Sequence, residues 1–294
     1  MLDFTVVLPF YGEIKSLENS LISISNQKLS EFELILIDDN KKRKWTKNDL
    51  CDLLDKLNII NYKVFINEFN MGANYSRNLG IINSNSNYVS FIDCGDIWNP
   101  NKLYLENKAL IEQPDIIYSK QKYNHKFFSL NHNKDHYPNY FKQQMISSIC
   151  TSSSLTVKRK LLIKVNMFNE NLKSSQDADL LLRLLKFTNR VKFINSVLSE
   201  KNVDHKNSIS SNVNYYDNTF IHVRLPYLNL FDKKIRSAVF FSHYSSRFFR
   251  NFSKVSIKKE IGYLFRFKPL KLTDYFIFAF KFIYYYLINL ARTI

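Results

Sequence analysis

Short apolar runs alternate with helix-period segments over the first hundred residues. The runs FTVVLPF, FELILIDD, YKVFIN and YVSFID each stop at polar or turn residues, as strands buried on both faces of a parallel sheet do. Between the first two runs, Leu17, Leu21 and Ile24 recur at i, i+4 and i+7 and predict the buried face of a helix. Alternation of this kind predicts βαβ units and a sheet covered by helices on both faces.

Further helices are indicated along the chain. NMGANYSRNLGIINS predicts a helix with Asn70 as its N-cap and with Leu79 and Ile82 on its buried side. Pro100 suggests the start of another helix. SSQDADLLLRLLKFTN predicts a helix with two aspartates in its first turn, and VKFINSVLSEKN predicts one more strand.

Polar residues follow three of the predicted strands at the point where each strand ends. The first strand ends in Pro9, Phe10 and the polar Tyr11, the second in Asp38 and Asp39, and the fourth is followed by Asp93 and Asp96. Ligands on such sheets bind beyond the carboxyl ends of the strands, where these residues would converge. A carboxylate beside an apolar layer is costly unless it is paired or holds a metal. The pattern therefore predicts a metal or nucleotide site, the alternative being that the fourth strand simply reaches the surface there.

Residues 113–150 show no clear period. This stretch contains three of the six histidines, His125, His132 and His136, among many Asn and aromatic residues. A metal cluster is one interpretation. We favour an irregular loop or hairpin over the active site.

Charge and cysteine content narrow the class of protein. The formal net charge is +16, and residues 201–294 hold 16 Lys and Arg against 5 Asp and Glu, which points to an anionic partner. The three cysteines are widely spaced without a CxxC pair, so they suit a reducing compartment better than a disulfide framework. The start MLDFTVVLPF lacks the features of a signal peptide, so the cytoplasm is the expected location.

The character of the chain changes after about residue 211. Phe and Tyr alternate with Lys and Arg, and DYFIFAFKFIYYYLINL, interrupted by Lys281, is too short to span a membrane comfortably. We expect residues 1–210 to form the main domain and 211–294 a helical extension at an anionic membrane surface. The alternatives are a helical cap on the sheet or on a second subunit, and nucleic-acid binding, which no recognition motif supports. Oligomeric state stays open.

Five of these segments resemble, in order, the motifs of family 2 glycosyltransferases, which are inverting enzymes with the GT-A fold. The matching segments are VVLPFYGEIKSLENSLISISNQ, FELILIDDN, NMGANYSRNLGI, YVSFIDCGDIWNPNKL and SSQDADLLLRL, and the resemblance covers roughly residues 4–210. It implies a Rossmann-like, mostly parallel mixed sheet with helices on both faces. It also implies transfer from a nucleotide-sugar donor, such as a UDP-hexose or UDP-N-acetylhexosamine, to a lipid-linked saccharide acceptor. The products would be O-antigen, capsule or lipooligosaccharide, made at the inner face of the bacterial plasma membrane.

The resemblance also implies roles in donor binding. Asp39 would accept a hydrogen bond from the nucleobase, commonly uracil N3–H, which suits a carboxylate. Pro9 and Tyr11 would line the same pocket, with Glu13 nearby. Arg77 would lie near the nucleotide, the alternative being a salt bridge to one of the aspartates.

The segment Asp93-Cys94-Gly95-Asp96 departs from the family's D-x-D-D pattern, because glycine replaces the middle carboxylate. By the resemblance, Asp93 would contact the donor and Asp96 would bind Mn²⁺ or Mg²⁺, ions that prefer oxygen ligands. Gly95 would remove a ribose contact and bears on the affinity for metal. His205, in VDHKNSIS, is a further candidate for the metal or the diphosphate.

An inverting transfer needs a base for the acceptor hydroxyl. By the resemblance this base is Asp177, and Asp179 is a helix-start charge or an acceptor-site residue. The alternative is that both only complement the helix dipole. A catalytically degenerate scaffold at the membrane, suggested by Gly95, is the second reading of the whole chain.

Overall fold

The computed structural model describes residues 2–40, 45–123, 139–146, 148–201 and 220–232, together with 235, 236, 238, 239 and 242. Within these, the residues of Met1–Phe141, Ser148–Leu172 and Gln176–Asp204 form one compact unit. Every strand described below belongs to this unit. The predicted boundary at residue 210 lies outside the described residues and stays a prediction.

The first unit alternates strands and helices, as the hydrophobic pattern predicts. The strands are β1 (Phe4–Phe10), β2 (Phe32–Asp38), β3 (Tyr62–Ile66), β4 (Tyr88–Phe91), β5 (Ile97–Trp98), β6 (Ile116–Tyr123), β7 (Leu155–Lys158) and β8 (Val191–Lys201). The helices are α1 (Ile14–Ser25), α2 (Lys47–Lys56), α3 (Ala73–Asn83), α4 (Lys102–Ala109), α5 (Tyr140–Ile146), α6 (Arg159–Lys164) and α7 (Gln176–Leu185), of which α5 extends beyond this unit.

The strands form one mixed sheet in the order β3-β2-β1-β4-β7-β6-β8-β5. β3, β2, β1 and β4 are parallel neighbours, and β6 and β8 form another parallel pair. β7 runs antiparallel to both β4 and β6, and β5 runs antiparallel to β8. All strands except β5 and β7 therefore end at the same edge of the sheet, which we call the carboxyl edge; the opposite edge is the amino edge.

Two hydrophobic cores cover the two faces of the sheet. Successive residues of β1 alternate between them: Val6 and Leu8 pack with α1, α2 and α4, whereas Val7 packs with α3, α6 and α7. α3 lies especially close to the sheet, because a Cβ added at Gly80 would come within 2.4 Å of the Val7 side chain. The predicted helices on both faces are thus present.

The start of α3 differs from the sequence prediction. Gly72, with φ +88°, precedes the helix in place of Asn70, and Ile82 is 56% exposed while its neighbour Ile81 is fully buried. The physical reason lies in Asp39, whose carboxylate accepts the backbone N–H groups of residues 71 and 72 and so fixes where the helix begins. Asn70 is therefore not the cap.

Three features were not predicted from the sequence. The helix α2, which begins with a capping box formed by Thr46 and Asp49, was not among the predicted helices. β6 lies within the stretch expected to be irregular, and β5 is a two-residue strand between Asp96 and the predicted helix. Outside the first unit, a π-helical turn at Phe220–Arg224 leads into a 3₁₀ helix at Leu225–Leu230. No helix in the described part of the chain is long and apolar enough to cross a membrane.

Candidate active site

Strand pairing brings the polar strand ends together at the carboxyl edge. Phe10 at the end of β1 pairs with Asp38 at the end of β2, and its carbonyl accepts the Asp39 N–H at 2.8 Å. On the other side, the Asn67 N–H donates to the Asp38 carbonyl at 2.9 Å. β4 lies beside β1 and leads directly into Asp93. The convergence expected from the sequence is therefore present in the sheet.

The first aspartate of the pair supports the loop that follows it. Asp38 is buried, and its Oδ1 accepts hydrogen bonds from the Asn40 backbone N–H at 3.0 Å and side-chain Nδ2 at 2.7 Å. Its Oδ2 accepts from Trp45 Nε1 at 3.2 Å, and that indole ring stacks on Phe10 at 5.1 Å between centroids. Asp38 therefore stabilises the backbone conformation of the loop that contains Asp39.

The second aspartate links β2 to the start of α3. Asp39 is also buried; Oδ1 accepts from Asn67 Nδ2 and from the Met71 N–H, both at 2.8 Å, and Oδ2 accepts from the Gly72 N–H at 2.8 Å. Each carboxylate oxygen carries two lone pairs, so Oδ2 has capacity for a further donor. This side chain can organise the loop and still accept a hydrogen bond from a ligand.

The residues after β1 present different surfaces. Pro9 is buried within the strand, opposite Ile37. Tyr11, just beyond the strand, exposes 64% of its surface at the carboxyl edge. Glu13 is exposed immediately before α1 and makes no side-chain capping bond. An exposed aromatic ring beside Asp39 offers a flat apolar surface to a planar ligand.

Residues Asp93 to Asp96 form a tight turn after β4. The Asp96 N–H donates to the Asp93 carbonyl at 3.0 Å, and Gly95 has φ +93°. This is the conformation that a type II turn requires at its third position, where glycine is favoured. From α1, the buried Ser20 Oγ accepts the Gly95 N–H at 2.9 Å and donates to the Asp96 carbonyl at 2.8 Å. The glycine that departs from the family pattern therefore fits the backbone of this turn.

A serine that sequence reasoning missed holds both aspartates of the turn. The Ser153 hydroxyl donates to Asp96 Oδ2 at 2.6 Å and accepts the Asp93 N–H at 3.0 Å. The Ser153 carbonyl accepts from Trp98 Nε1 at 2.9 Å. Ser153 is completely buried, and in sequence it is one hydroxyl in the run TSSS, which carries no signal of this role.

Arg77 makes the ion pair that the sequence left open. Its Nη2 lies 2.5 Å from Asp93 Oδ1, its Nη1 donates to Asn74 Oδ1 at 3.3 Å, and the guanidinium lies 5.2 Å from the centre of the Phe168 ring. Burial alone would raise the pKa of Asp93, but the positive charges of Arg77 and Lys201 outweigh it and lower that pKa. The buried Nε of Arg77 has no hydrogen-bond partner among the described residues.

Asp177 lies in the first turn of α7, as predicted. Burial raises its pKa above the ordinary value, and the nearby Asp93 charge adds to this effect. Lys201, the Ala178 N–H at 2.8 Å and Arg77 oppose the increase without cancelling it. A half-buried carboxylate with a raised pKa is suited to accept a proton.

Asp179 has a different environment on the same helix. Its Oδ2 accepts from Arg183 Nε at 2.9 Å and Nη2 at 2.6 Å, and Arg183 also donates to the Val165 carbonyl. This pairing ties α7 to the end of α6. Asp179 is therefore occupied in holding the helix in place, in contrast to Asp177.

Two asparagines of α3, also missed from the sequence, hold the segment that leads towards α7. Asn74 Nδ2 donates to the carbonyls of Asn169 and Leu172, both at 2.9 Å. Asn78 exchanges hydrogen bonds with the backbone of Phe168, accepting at 2.9 Å and donating at 2.9 Å. Asn74, Arg77 and Asn78 are three and four residues apart, so a shared helix face was the available signal.

The donor set at the turn fits a hard divalent ion. Two carboxylates lie within four residues, and Mg²⁺ or Mn²⁺ commonly uses one or two carboxylates while substrate phosphates and water complete the shell. No group of three or more His, Cys, Asp or Glu side chains that could share an ion occurs in the described ranges. His205 and the three histidines of residues 124–138 lie outside the described residues.

Comparison with known sequences gives a family match and distant relatives. The model of glycosyl transferase family 2 matches residues 5–169. An uncharacterised glycosyltransferase of Rickettsia bellii is 27% identical over 231 residues, 76% of this chain. The chain spans only 32% of that relative's length. The Escherichia coli UDP-Glc:alpha-D-GlcNAc-diphosphoundecaprenol beta-1,3-glucosyltransferase WfgD is 26% identical over 108 residues, 37% of this chain and 41% of WfgD.

Solved structures share the fold. S. aureus TarS (residues 1–349), crystallised with UDP-GlcNAc, superposes with a TM-score of 0.70 at 22% identity, covering 90% of this chain and 80% of that one. The Pyrobaculum calidifontis mannosyltransferase PcManGT, in complex with GDP-Man and Mn²⁺, superposes with a TM-score of 0.60 at 13% identity, covering 90% of this chain and 78% of that one. The GT-A fold expected from the motifs is confirmed for the sheet and its helices.

Proposed function

Because this chain belongs to glycosyl transferase family 2, we propose that it transfers a sugar from a UDP-sugar to a saccharide acceptor with inversion at the anomeric carbon. The observation that carries the proposal is the contrast among the carboxylates of the carboxyl edge. Asp39 and Asp93 are held by donors, while Asp177 keeps a raised pKa. The carboxylates that would bind the donor, Asp39 and Asp93, are therefore distinct from the carboxylate that would act as the base, Asp177, and all three lie at one edge of the sheet.

The donor nucleotide would bind over the ends of β1 and β2. Asp39 Oδ2 would accept the nucleobase N–H, and the exposed ring of Tyr11 would stack on the base, next to Pro9 and Glu13. Arg77 orients Asp93 and retains an Nε–H for the nucleotide. The UDP-GlcNAc complex of TarS supports a UDP-hexose or UDP-N-acetylhexosamine as donor.

A divalent cation, Mn²⁺ or Mg²⁺, would be held by Asp96, whose carboxylate Ser153 orients. When bound, such an ion neutralises charge that develops on the departing diphosphate. The Mn²⁺ complex of the PcManGT structure supports this choice. His205 is retained as a second candidate ligand.

Asp177 would remove the proton from the acceptor hydroxyl as this oxygen attacks the anomeric carbon opposite the leaving diphosphate. The oxygen–carbon bond forms, the carbon–oxygen bond to the diphosphate breaks, and the proton stays on the Asp177 carboxyl. Its raised pKa makes it a stronger base than an exposed aspartate. An α-linked donor gives a β-linked product.

The acceptor would be a lipid-linked saccharide in the synthesis of a surface polysaccharide such as O-antigen, capsule or lipooligosaccharide. Support comes from WfgD, whose name specifies a diphosphoundecaprenol acceptor, and from the 16 Lys and Arg of residues 201–294. We place the enzyme on the inner face of the plasma membrane as a peripheral protein. Flotation with anionic and neutral liposomes tests this: equal recovery on both would contradict it.

The main experiment measures UDP release with a panel of UDP-sugars, with Mn²⁺ and with EDTA. Asp96→Ala and Asp177→Asn are compared with Asp52→Asn, an exposed aspartate on α2. We expect one donor to be turned over, EDTA and both site variants to abolish turnover, and the α2 variant to retain it. If no donor is turned over, calorimetry with UDP alone distinguishes the two causes: UDP binding indicates that only the acceptor is missing, and no binding indicates that the donor site is absent. If UDP does not bind, the proposed function is wrong. The alternative supported by Gly95, a catalytically degenerate scaffold, then explains the chain better.

A further inference from the structure

The last residue of β8 is placed beside the acidic turn by strand pairing. β8 runs antiparallel to β5 with Ser199 opposite Trp98 and Glu200 opposite Ile97. The next position in this register sets Lys201 opposite Asp96. Continued by one residue, the register of β5 and β8 would thus bring Lys201, the last residue of β8, beside the residue proposed to hold the cation.

The alternation of side chains along β8 decides which face this lysine occupies. Directly opposed residues of antiparallel strands share a face, as do residues two apart. Ser199 shares a face with Trp98, whose Nε1 donates to the Ser153 carbonyl, and Ser153 Oγ donates to Asp96. Lys201 belongs to the same face, whereas Glu200 points to the other and lies 3.6 Å from Lys122 Nζ.

Electrostatics agree with this placement. The charge of the half-buried Lys201 lowers the pKa of both Asp93 and Asp177, which agrees with a place for Lys201 near both the turn and α7. Asp93 already has Arg77 as a partner at 2.5 Å. A donor diphosphate entering here would meet the negative charges of Asp96 and Asp177, and a cation is needed to offset them.

We propose that Lys201 binds the diphosphate of the nucleotide donor and is a specificity-determining residue for diphosphate-activated sugars. The inference rests on the proposed function, since it uses the same site. An ammonium group on a flexible stem is a common phosphate ligand. Lys201 would contact the diphosphate from the β8 side, and Asp96 in the turn would be the residue that holds the cation.

The test is calorimetric titration of the full chain with UDP and with uridine, in Mn²⁺ and in EDTA. Lys201→Met is compared with Lys201→Arg, which keeps the charge, and with Lys192→Met, which removes a lysine from the opposite end of β8, where it pairs with Glu112. We expect Lys201→Met to weaken UDP binding about 10- to 100-fold, the range for one charge-assisted hydrogen bond, and to leave uridine binding unchanged. The Arg and Lys192 variants should stay within about threefold of the wild type.

Each other outcome overturns the inference in a recognisable way. If wild-type protein binds UDP and Lys201→Met binds it equally well, Lys201 has no diphosphate contact, although the proposed function stands. If UDP and uridine weaken together, the lysine only supports the shape of the site. If the wild type binds no UDP, both proposals fail. Lys201→Gln, which keeps a polar side chain, replaces the Met variant if that variant melts at a lower temperature.

Discussion

Asp115 at the amino edge of the sheet and Asp177 at the carboxyl edge have pKa values shifted in opposite directions. At the amino edge, Asp115 accepts hydrogen bonds from Arg190 and Thr188 and lies 3.1 Å from Lys158 Nζ. Burial alone would raise its pKa, but these partners lower it to about 2. At the carboxyl edge, the charges around Asp177 do not compensate for its burial, and its pKa is raised.

This difference separates carboxylates that stabilise the fold from one available for chemistry. Glu33, also at the amino edge, has its pKa lowered against the effect of burial by Lys63 and Thr5. A lowered pKa means that the folded state favours the charged form, and a raised pKa means the reverse. The partners of each carboxylate therefore decide the direction of its pKa shift, and the following changes test the contrast in order of expected effect.

Removing the charge of Asp177 should abolish activity without weakening the fold. Asp177→Asn removes the base, and we expect the transfer rate to fall about 10²- to 10⁴-fold. Because a raised pKa contributes stability below pH 3.8 that is lost as the pH rises through the folded value, the charge is unfavourable at neutral pH. The melting temperature of the variant should thus equal or exceed that of the wild type, and a clear decrease would contradict this account.

A substitution at Gly80, which lies between the two edges of the sheet, should affect both stability and UDP binding. Gly80→Ala places a Cβ 2.4 Å from Val7 Cγ1, so α3 must move away from β1. We expect a loss of about 3 kcal/mol in the free energy of unfolding, the upper range for overpacking, and weaker UDP binding, since α3 carries Arg77. Ile82→Ala on the exposed side of the same helix should cost about 0.5 kcal/mol or less. Urea denaturation of both variants provides the measurement.

Neutralising Asp115 at the amino edge should have the opposite effect to neutralising Asp177: it should reduce stability and leave activity unchanged. Asp115→Asn should lower the free energy of unfolding by about 2 kcal/mol, between the values for exposed and buried ion pairs, and leave kcat unchanged. With a folded pKa of about 2 and an ordinary value of 3.8, Asp115 contributes stability above pH 3.8 that is lost as the pH falls through about 2. Acid unfolding curves of the two proteins should therefore converge at low pH; a constant separation would be evidence against this ion cluster.

The smallest effect is expected at the turn. Gly95→Asp introduces the carboxylate expected from the family resemblance. Among the described residues, a Cβ there would contact only the Ser16 Cβ at 3.8 Å, but φ +93° strains any side chain by about 1 kcal/mol. Gly95→Ala shares that strain without the carboxylate and is the matched control. Both should lose similar stability in thermal melts, while only the Asp variant should bind Mn²⁺ more tightly. Equal Mn²⁺ affinity in the two variants would mean that residue 95 does not face the ion.

Much of the fold followed from local pattern. The strands β1 to β4 and β8 and the helix α7 were predicted because apolar runs and the helical period are properties of neighbouring residues. The order of polar strand ends predicted the carboxyl edge for the same reason. β5 was not predicted because two residues carry no periodicity. The helix α3 begins later than predicted because Asp39, more than thirty residues earlier, binds the N–H groups of the two residues that precede it.

The parts of the candidate site that depend on contacts between residues far apart in sequence could not be predicted. Asp39, Asp96 and Asp177 could be named from the motifs, yet Ser153, Asn74 and Asn78 could not, since their long-range partners lie 55 to 98 residues away. The pairing of Arg77 with Asp93 was foreseen only as an alternative. The electrostatic difference between Asp177 and Asp179 depends on Arg183 and on burial, neither of which a first-turn position reveals.

The Ser153 hydrogen bonds also bear on how the protein is made. The acidic turn is synthesised 57 residues before the hydroxyl that holds Asp96, a delay of about 3 to 11 s at ordinary translation rates. During that interval β1 to β4 can already pair with one another, because all four strands have been synthesised, while β4 still lacks its neighbour β7 and the turn lacks the Ser153 hydrogen bonds. A nascent chain can therefore form the parallel strands β1 to β4 before its candidate donor site is complete, and a protein divided between β4 and β7 would need both fragments to bind a sugar nucleotide.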